Sequence, residues 1–429
     1  MKRSLRVATL LFLCSAAGAA LLSHPVAGVE SESPPRATIK PSLVRLQPGA
    51  QQRFKVIVEA TWLMAAKAPD KVIWTVNEIP GGNAEVGTID ANGLYKAPLK
   101  PAKPHEVHIR GEVEGTGNRF VWATVLTANP DPAYKMVGNW SEPTGGPGAR
   151  LRKPHGISID LNGNLLITDQ GAHRVFRYTK SGKFLDEIGL GQGSEPGQFT
   201  EPRIAIVDDA GHIYVPDVKG DRPRLQVFDG GGKLLRIFAD KGTRPGRMLR
   251  GHGLAFDSKQ RLHVVDVDTM RVSVFDRSGK YISSWGKEGV GPGEFNAPHG
   301  LFVDASDDVF VNGYYGPTQK FTPDGRFVLA FAFGDPPDGA VYFHSLAGDR
   351  WGNAYATVRT KAGYAGALES QSGKKVSIAK YNNNGDFICN LSLSVPEHTE
   401  SWATVDRDGT IYALFTAQGR AGVEIYAQE

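Results

Sequence analysis

The chain has 429 residues, more than a single hydrophobic core usually supports, so its length predicts two domains. Its 51 glycines and 27 prolines, against only 5 methionines, indicate many turns and short strands and few helices. The formal net charge of +4 includes three basic residues of an N-terminal segment that we expect to be removed. The +1 that remains leaves no electrostatic footprint for a nucleic-acid partner.

The N-terminus has the layout of a secretory signal peptide. An apolar run extends from residue 7 to residue 22. It is preceded by three basic residues, Lys2, Arg3 and Arg6. Cleavage near Ala19 or after Gly28 is expected, and we predict residues 1–28 as the signal peptide of a secreted or periplasmic protein with no membrane span. The alternative is an uncleaved anchor, because the run is about as long as the shortest spanning helices.

Residues 36–129 have the pattern of a small β-sandwich. Apolar and polar residues alternate with the period of a strand in four runs: Arg53–Val58, Lys71–Val76, Val107–Arg110 and Phe120–Val125. Such short strands are typical of a sandwich. Leu46–Gly49, the strand around Trp74 and Val86–Pro98 resemble the bacterial immunoglobulin-like domains of secreted proteins. We expect Trp74 to be a core residue.

One pattern recurs between residues 131 and 429. Its first copy has four runs separated by turns: Pro154–Asp160, Gly163–Asp169, Arg174–Tyr178 and Phe184–Gly189. Later copies begin 45 to 57 residues apart: Arg203–Asp208, His252–Asp257, His299–Asp304, His344–Asp349 and Ser401–Asp406. These copies resemble NHL repeats, which build β-propellers. The sequence therefore predicts an all-β chain in which an N-terminal immunoglobulin-like sandwich, 36–129, is followed by a six-bladed β-propeller, 131–429. A Pro-containing segment, 128–132, predicts a hinge that makes the two domains separable.

The sixth copy lacks a fourth strand, because it ends with its third strand at Val423–Tyr426. Tyr134–Trp140, ahead of the first copy, matches the fourth-strand run Tyr281–Gly286, and a Gly-Pro-Gly turn follows each of them. We therefore predict that residues 133–140 supply the missing strand. Closing the ring in this way removes the exposed sheet edge of an open array.

Six residues open the first strands of the six blades and are predicted to surround one mouth of the central channel: His155, Arg203, His252, His299, His344 and Ser401. Four of the eleven histidines of the chain fall on this ring. Blades one, three and five converge at about 120° intervals, and three neutral imidazoles are a sufficient zinc ligand set with an open fourth position. We expect His155, His252 and His344 to be those ligands, His299 to contact the bound molecule, and Arg203 to hold a carboxylate. The alternative is that the histidines cap turns through backbone hydrogen bonds.

The first blade carries the most specific resemblance. Residues Pro154–Tyr178 look like the peptidyl-α-hydroxyglycine α-amidating lyases, six-bladed propellers that cleave hydroxyglycine-extended peptides to a peptide amide and glyoxylate. The similarity covers about residues 133–429. It implies a zinc ion held by the same three histidines, because the lyases take their ligands from the first strands of alternate blades.

Two groups of the lyases are missing at their expected places. Val218 and Lys219 follow Asp217 in blade 2, where the family has a catalytic tyrosine. In blade 3 the family has a substrate-binding arginine where this chain has Val267. We therefore expect weak or no turnover of a lyase substrate, since a proton-transfer group alone is worth roughly 10²–10⁴-fold in rate.

The sequence favours a secreted zinc propeller that binds a small molecule or a peptide at the channel mouth and acts as a lyase or hydrolase. The alternative is a non-catalytic propeller without metal that binds a ligand or a protein partner, because a fold alone does not decide function. A segment of about twenty residues, 357–376, separates the second and third strands of blade 5 on the histidine face. Its length predicts a lid or a specificity element.

Overall fold

Every regular element in the described part of the chain is a β-strand. The computed structural model describes residues 36–58, 69, 71–113, 120–127, 133–141, 143–144, 150–314, 316–331, 341–360, 377–393, 402–417 and 420–429. The signal peptide expected at 1–28 lies outside these ranges and stays a prediction. Within the ranges, no helix is both long and apolar enough to cross a membrane.

The N-terminal strands form three sheets that share one apolar core. The largest sheet has five strands in the order Leu43–Arg45, Phe120–Leu126, Glu106–Val113, Val72–Val76 and Ile79–Pro80. A second sheet has four strands in the order Gln51–Arg53, Leu94–Lys96, Gly87–Ile89 and Gly82–Asn83. The third sheet pairs Ala37–Lys40 with Lys55–Val58. Phe54, Trp74 and Tyr95 are buried in the core, because alternate residues of a strand face the same side. The core position expected for Trp74 is confirmed, while the immunoglobulin-like assignment of 36–129 stays a prediction.

Five antiparallel four-stranded sheets then follow in chain order, as the repeat predicts. Blade 1 is Pro154–Ile159, Leu165–Asp169, Arg174–Tyr178 and Phe184–Ile188, and blade 2 is Ile206–Val207, Ile213–Asp217, Arg224–Phe228 and Leu234–Phe238. Blade 3 is Gly251–Phe256, Leu262–Asp266, Arg271–Phe275 and Tyr281–Trp285, and blade 4 is Pro298–Val303, Val309–Gly313, Gly316–Phe321 and Phe327–Phe331. Blade 5 is Val341–Gly348, Ala354–Thr360, Ser377–Tyr381 and Phe387–Ser392. Two short strands, Lys287–Glu288 and Glu294–Phe295, pair in parallel between blades 3 and 4.

The sixth blade is assembled from both ends of the repeat region. Its strands, from the channel outward, are Trp402–Val405, Ile411–Ala417, Arg420–Gln428 and Tyr134–Trp140. The last two pair antiparallel, with Tyr134 opposite Gln428 and Trp140 opposite Val423. The closing strand expected at 133–140 is therefore confirmed, and it covers the edge that the C-terminal strand would otherwise expose.

Neighbouring blades meet backbone to backbone next to the channel. A Cβ atom on Gly253 of blade 3 would lie 2.7 Å from the backbone nitrogen of Leu301 in blade 4. A Cβ atom on Gly300 of blade 4 would lie 2.7 Å from the backbone nitrogen of Leu346 in blade 5. Glycine after the ring histidine is therefore what lets adjacent first strands approach each other. Farther from the channel, apolar side chains of adjacent blades fill shared clusters.

The N-terminal sheets and the propeller share a buried polar interface. Lys380 Nζ of blade 5 lies 2.6 Å from Glu106 Oε2, and both side chains are buried. Asn353 Nδ2 donates to the other carboxylate oxygen of Glu106 at 3.2 Å, and His108 stacks on Trp351 with ring centroids 4.5 Å apart. The separability of the sandwich stays a prediction, and removing the sheets would leave Lys380 without its carboxylate. The hinge expected at 128–132 lies outside the described residues.

Ring closure predicts a difference between two truncated chains. A chain that begins at Asp131 keeps the closing strand, a chain that begins at Gly145 lacks it, and the N-terminal sheets are absent from both. We expect the second chain to melt at least about 5 °C lower, since each 1 kcal/mol shifts the midpoint of a large domain by roughly 2–4 °C. Calorimetry gives both midpoints, and equal values would contradict closure by Tyr134–Trp140.

The interface also predicts a pH dependence of stability. Burial by itself would raise the pKa of Glu106, but the charge of Lys380, with His108 and the hydrogen bonds from Lys380 and Gln428, lowers this pKa below its ordinary value. A lowered carboxyl pKa stabilises the fold above the ordinary glutamate value of about 4.3, and the contribution is lost as the pH falls below it. Urea unfolding of the full chain from pH 7 to pH 3 should show this loss.

Glu106→Gln should remove that pH-dependent contribution and lower the free energy of unfolding at pH 7 by about 3–5 kcal/mol, because it leaves a buried ammonium without its carboxylate. Glu112→Gln is the matched control. Glu112 pairs with Arg110 at 3.1 Å in a partly exposed position, so its loss should cost about 1 kcal/mol or less. Equal effects of the two substitutions would contradict the role assigned to the buried pair.

Candidate functional site

Three ring histidines converge at one end of the first strands. His155, His252 and His299 are the second residues of the strands Pro154–Ile159, Gly251–Phe256 and Pro298–Val303. In each strand the pairing register shifts next to the histidine. Such a bulge bends the strand and redirects a side chain. The three side chains are only 2%, 2% and 3% exposed.

The three imidazoles and one indole form a compact group, which we call the channel cluster: His155, His252, His299 and Trp402. The ring centroids of His155 and His252 are 5.1 Å apart, and those of His252 and His299 only 3.5 Å apart. The indole of Trp402 lies 5.2, 5.3 and 5.4 Å from the rings of His155, His252 and His299. One side chain of blade 6 therefore contacts histidines from three other blades.

Trp402 is a residue that the sequence analysis missed. The ring position expected in blade 6 is Ser401, which lies outside the described residues. Trp402 follows it and corresponds by repeat position to Gly156 and Gly253, where a side chain would meet the next blade. Its indole is within 8° of parallel to the His252 ring. The available signal was an aromatic residue in a repeat position that is glycine or serine in four of the other five blades and isoleucine in blade 2.

Arg203 contacts the channel cluster from the segment just before blade 2. Its Nη1 lies 2.9 Å from Nε2 of His155, and its Nη2 donates to Oε1 of Glu201. A guanidinium has only donors, so His155 Nε2 must accept this hydrogen bond and the imidazole proton lies on Nδ1. Lys219 Nζ lies 3.7 Å from the other oxygen of Glu201. The cationic group expected at Arg203 is therefore at the histidine mouth, beside one of the expected metal ligands.

Tyr314 is a second residue that the sequence analysis missed. Its hydroxyl lies 2.8 Å from Nε2 of His299, and the two ring centroids are 4.5 Å apart. Tyr314 directly follows the second strand of blade 4, Val309–Gly313, and is half-buried. Comparison of this position with Val218 and Val267 in blades 2 and 3 could have identified it.

His344 and the long segment of blade 5 are described only in part. The strand Val341–Gly348 is present, and its register shifts between Phe343 and Leu346, as it does beside the other ring histidines. The side chain of His344 lies outside the described part of the structure. Residues 361–376 of the expected lid also lie outside it, so both the third ligand and the lid stay predictions.

The donor set fits a metal ion in part. Two imidazoles that bind one tetrahedral zinc ion through bonds of about 2.0–2.1 Å have ring centroids about 5 Å apart, which matches the separation of His155 and His252. The shorter distance between His252 and His299 does not suit two ligands of one ion. Among the described side chains, no group of three or more His, Cys, Asp or Glu residues has a metal-binding arrangement. A complete site therefore needs a ligand beyond these, such as His344.

The opposite mouth of the channel has a different character. A cavity of about 430 Å³ lies among the turns that join the first and second strands of blades 3 to 6. Its lining includes Asp257, Asp304 and Asp406, and each carboxylate accepts the backbone N–H groups two and four residues further on. These aspartates therefore stabilise turns.

Sequence comparison links part of the chain to known propellers. A family model described as a 6-bladed beta-propeller matches residues 253–311. A probable peptidyl-alpha-hydroxyglycine alpha-amidating lyase of Caenorhabditis elegans is 31% identical over 107 residues, which are 24% of this chain and 30% of that protein. NHL repeat-containing protein 3 of Mus musculus is 29% identical over 125 residues, 26% of this chain and 36% of that protein. The chain thus spans about a third of the length of these relatives.

A solved structure from Bacteroides vulgatus, a member of the DUF4221 family, aligns with 70% of this chain and 99% of its own, at 11% identity and a TM-score of 0.50. That likeness supports the fold alone. Taken together, the chain is an all-β protein with a six-bladed propeller that is related, at low identity, to NHL-repeat proteins and amidating lyases.

The channel cluster predicts that Trp402 is important for stability. Trp402→Ala would leave a void among three imidazoles, and we expect it to lower the free energy of unfolding by about 3–5 kcal/mol. Phe387→Ala is the control, because Phe387 is 42% exposed on the outer strand of blade 5 and its loss should cost much less. Chemical denaturation measures both. A Trp402→Ala variant as stable as the control would show that the indole does not support the cluster.

Proposed function

We propose that this protein is a secreted, zinc-dependent lyase that binds a small molecule or peptide end with a carboxylate at the histidine mouth of the propeller. The observation that carries the proposal is the convergence of His155, His252, Arg203 and the His299–Tyr314 pair at that mouth. A guanidinium that can orient a ligand, several imidazoles and a phenol together match the needs of acid–base chemistry on a carboxylate-bearing molecule.

His155, His252 and His344 would hold the metal. The first two support this role by their centroid separation, and His344 by its place in the repeat and the register shift of its strand. A zinc ion bound there would supply Lewis-acid polarisation of a ligand oxygen. His299 is left for the bound molecule, since its ring lies against that of His252.

Arg203 would orient the ligand. Its guanidinium already donates to a carboxylate at the mouth, that of Glu201, so it has the reach and direction for such a contact. A planar guanidinium binds a carboxylate through two parallel hydrogen bonds, which would fix the reacting end of a ligand relative to His299. A ligand carboxylate would compete with Glu201 for these donors.

Tyr314 and His299 would move the proton. The hydroxyl and the imidazole nitrogen, 2.8 Å apart, share one hydrogen, which either group can give to or take from a ligand oxygen. The resemblance to the lyases implies a tyrosine after the second strand of blade 2, where this chain has Val218. Tyr314 occupies the same strand position two blades further on. Because blades 1, 3 and 5 form a threefold set, a shift by two blades leaves the relation of the tyrosine to the metal ligands unchanged.

The same shift accounts for the missing arginine. The lyase position in blade 3 is that of Val267, five residues after the start of the strand Leu262–Asp266. In blade 5 the residue at the same distance from the start of Ala354–Thr360 is Arg359. This correspondence rests on sequence position and strand bounds. It supports a lyase-type residue set that is rotated around the propeller axis rather than incomplete.

The proposal predicts both metal content and product. Protein purified without chelator should contain one zinc per chain, and a peptide ending in α-hydroxyglycine should release glyoxylate at a rate that falls on chelation. His155→Ala, His252→Ala and His344→Ala should each lose the zinc, whereas His299→Ala should keep the ion and lose activity. Tyr314→Phe should also keep the ion and slow glyoxylate release by roughly 10²–10⁴-fold.

Elemental analysis and a glyoxylate assay on the same samples give both results. Zinc loss in His299→Ala with retention in any of the other three histidine variants would overturn the ligand assignment. Absence of zinc in the unaltered protein would favour the alternative of a non-catalytic binding propeller.

A further inference from the structure

Nε2 of His155 can either accept a hydrogen bond from Arg203 or bind a metal ion. Nε2 of His155 accepts a hydrogen bond from Nη1 of Arg203 at 2.9 Å. An imidazole nitrogen has a single lone pair in the ring plane, and a metal ion needs the same lone pair. A guanidinium is always charged, so it also places a positive charge beside the atom that a divalent cation would bind.

Arg203 has a second partner that lies toward the mouth. Its Nη2 donates to Glu201, and Glu201 in turn lies 3.7 Å from Lys219. The side chains of Arg203 and Glu201 are both largely buried, so the guanidinium is held in place. Nη2 can stay hydrogen-bonded to Glu201 when Nη1 leaves His155, because these two nitrogens of Arg203 contact different partners.

We propose that Arg203 and zinc compete for Nε2 of His155, so that Arg203 occupies the ligand atom in the metal-free protein and turns toward Glu201 when the ion binds. This inference rests on the proposed function only in taking His155 as a zinc ligand. Arg203 then acts as a positioning residue that lowers the affinity of the empty site for metal. It also keeps the buried lone pair of His155 hydrogen-bonded until an ion arrives, which avoids an unsatisfied polar group.

The test is the zinc affinity of the full chain, measured by competition with a chromophoric chelator after metal removal. Arg203→Gln should bind zinc roughly 10- to 100-fold more tightly than the unaltered protein, the factor equivalent to one hydrogen bond to a charged group. Arg250→Gln is the matched control, because Arg250 lies two residues before His252, carries the same charge and pairs with the exposed Asp268 at 2.6 Å. Its zinc affinity should change by no more than about twofold.

Unchanged or weaker zinc binding in Arg203→Gln overturns the competition, and equal tightening in Arg250→Gln would attribute the effect to net charge instead. Arg203→Met is measured beside it, because a glutamine amide can still donate a hydrogen bond, whereas methionine has neither a donor nor a charge. His155→Ala separates this inference from the proposed function. If His155→Ala binds zinc as the unaltered protein does, the ligand assignment itself fails. If it loses zinc while Arg203→Gln shows no tightening, only the competition fails.

Discussion

The hydrogen bonds between Tyr134–Trp140 and Arg420–Gln428 hold both ends of the repeat region in one sheet, and the arrangement at the channel depends on that pairing. With the ring closed, the first strand of blade 6 lies beside blade 1. Trp402 then shares an apolar cluster with Ile157 and stacks on His252 across the channel. A ring that opened at this seam would therefore lose the indole from the site as well as an outer strand.

The N-terminal sheets contact the same pair of strands that closes the ring, Tyr134–Trp140 and Arg420–Gln428. Glu106 binds Lys380 of blade 5 and accepts a hydrogen bond at 3.1 Å from Gln428, on the strand that pairs with the closing strand. Lys380 also donates to the hydroxyl of Tyr134 at 3.1 Å. Lys380 and the hydrogen bonds to Glu106 more than offset the desolvation of that carboxylate, since its pKa is lowered, and two buried charges satisfy each other only in one docking geometry. The sheets and the closing strand are thus placed by one buried network.

Among the described side chains, the site combines three imidazoles with the guanidinium of Arg203. Because Arg203 donates to His155, the lone pair of that imidazole is occupied as long as the arginine stays, and any cation must displace it. The His299–Tyr314 pair lies on the other side of His252, with the His299 ring against that of His252. Within the described residues, the mouth therefore has a cationic half at blades 1 and 2 and a phenolic half at blade 4. That division suits a ligand with one carboxylate and one oxygen that exchanges a proton.

The sequence by itself determined the six blades, a closing strand at 133–140 and the ring positions of the histidines, because strand period, turn residues and repeat spacing are local properties of the chain. Only the tertiary structure decided which side chains meet there. Its decisive contacts are those of Arg203 with His155, Tyr314 with His299, Glu106 with Lys380, and Trp402 with three imidazoles. The contact of Tyr314 with His299 joins two strands of blade 4, and the others join different blades or sheets, up to 274 positions apart. No period along the chain encodes them. They depend on how the blades pack around a common axis, which exists only once the ring has closed.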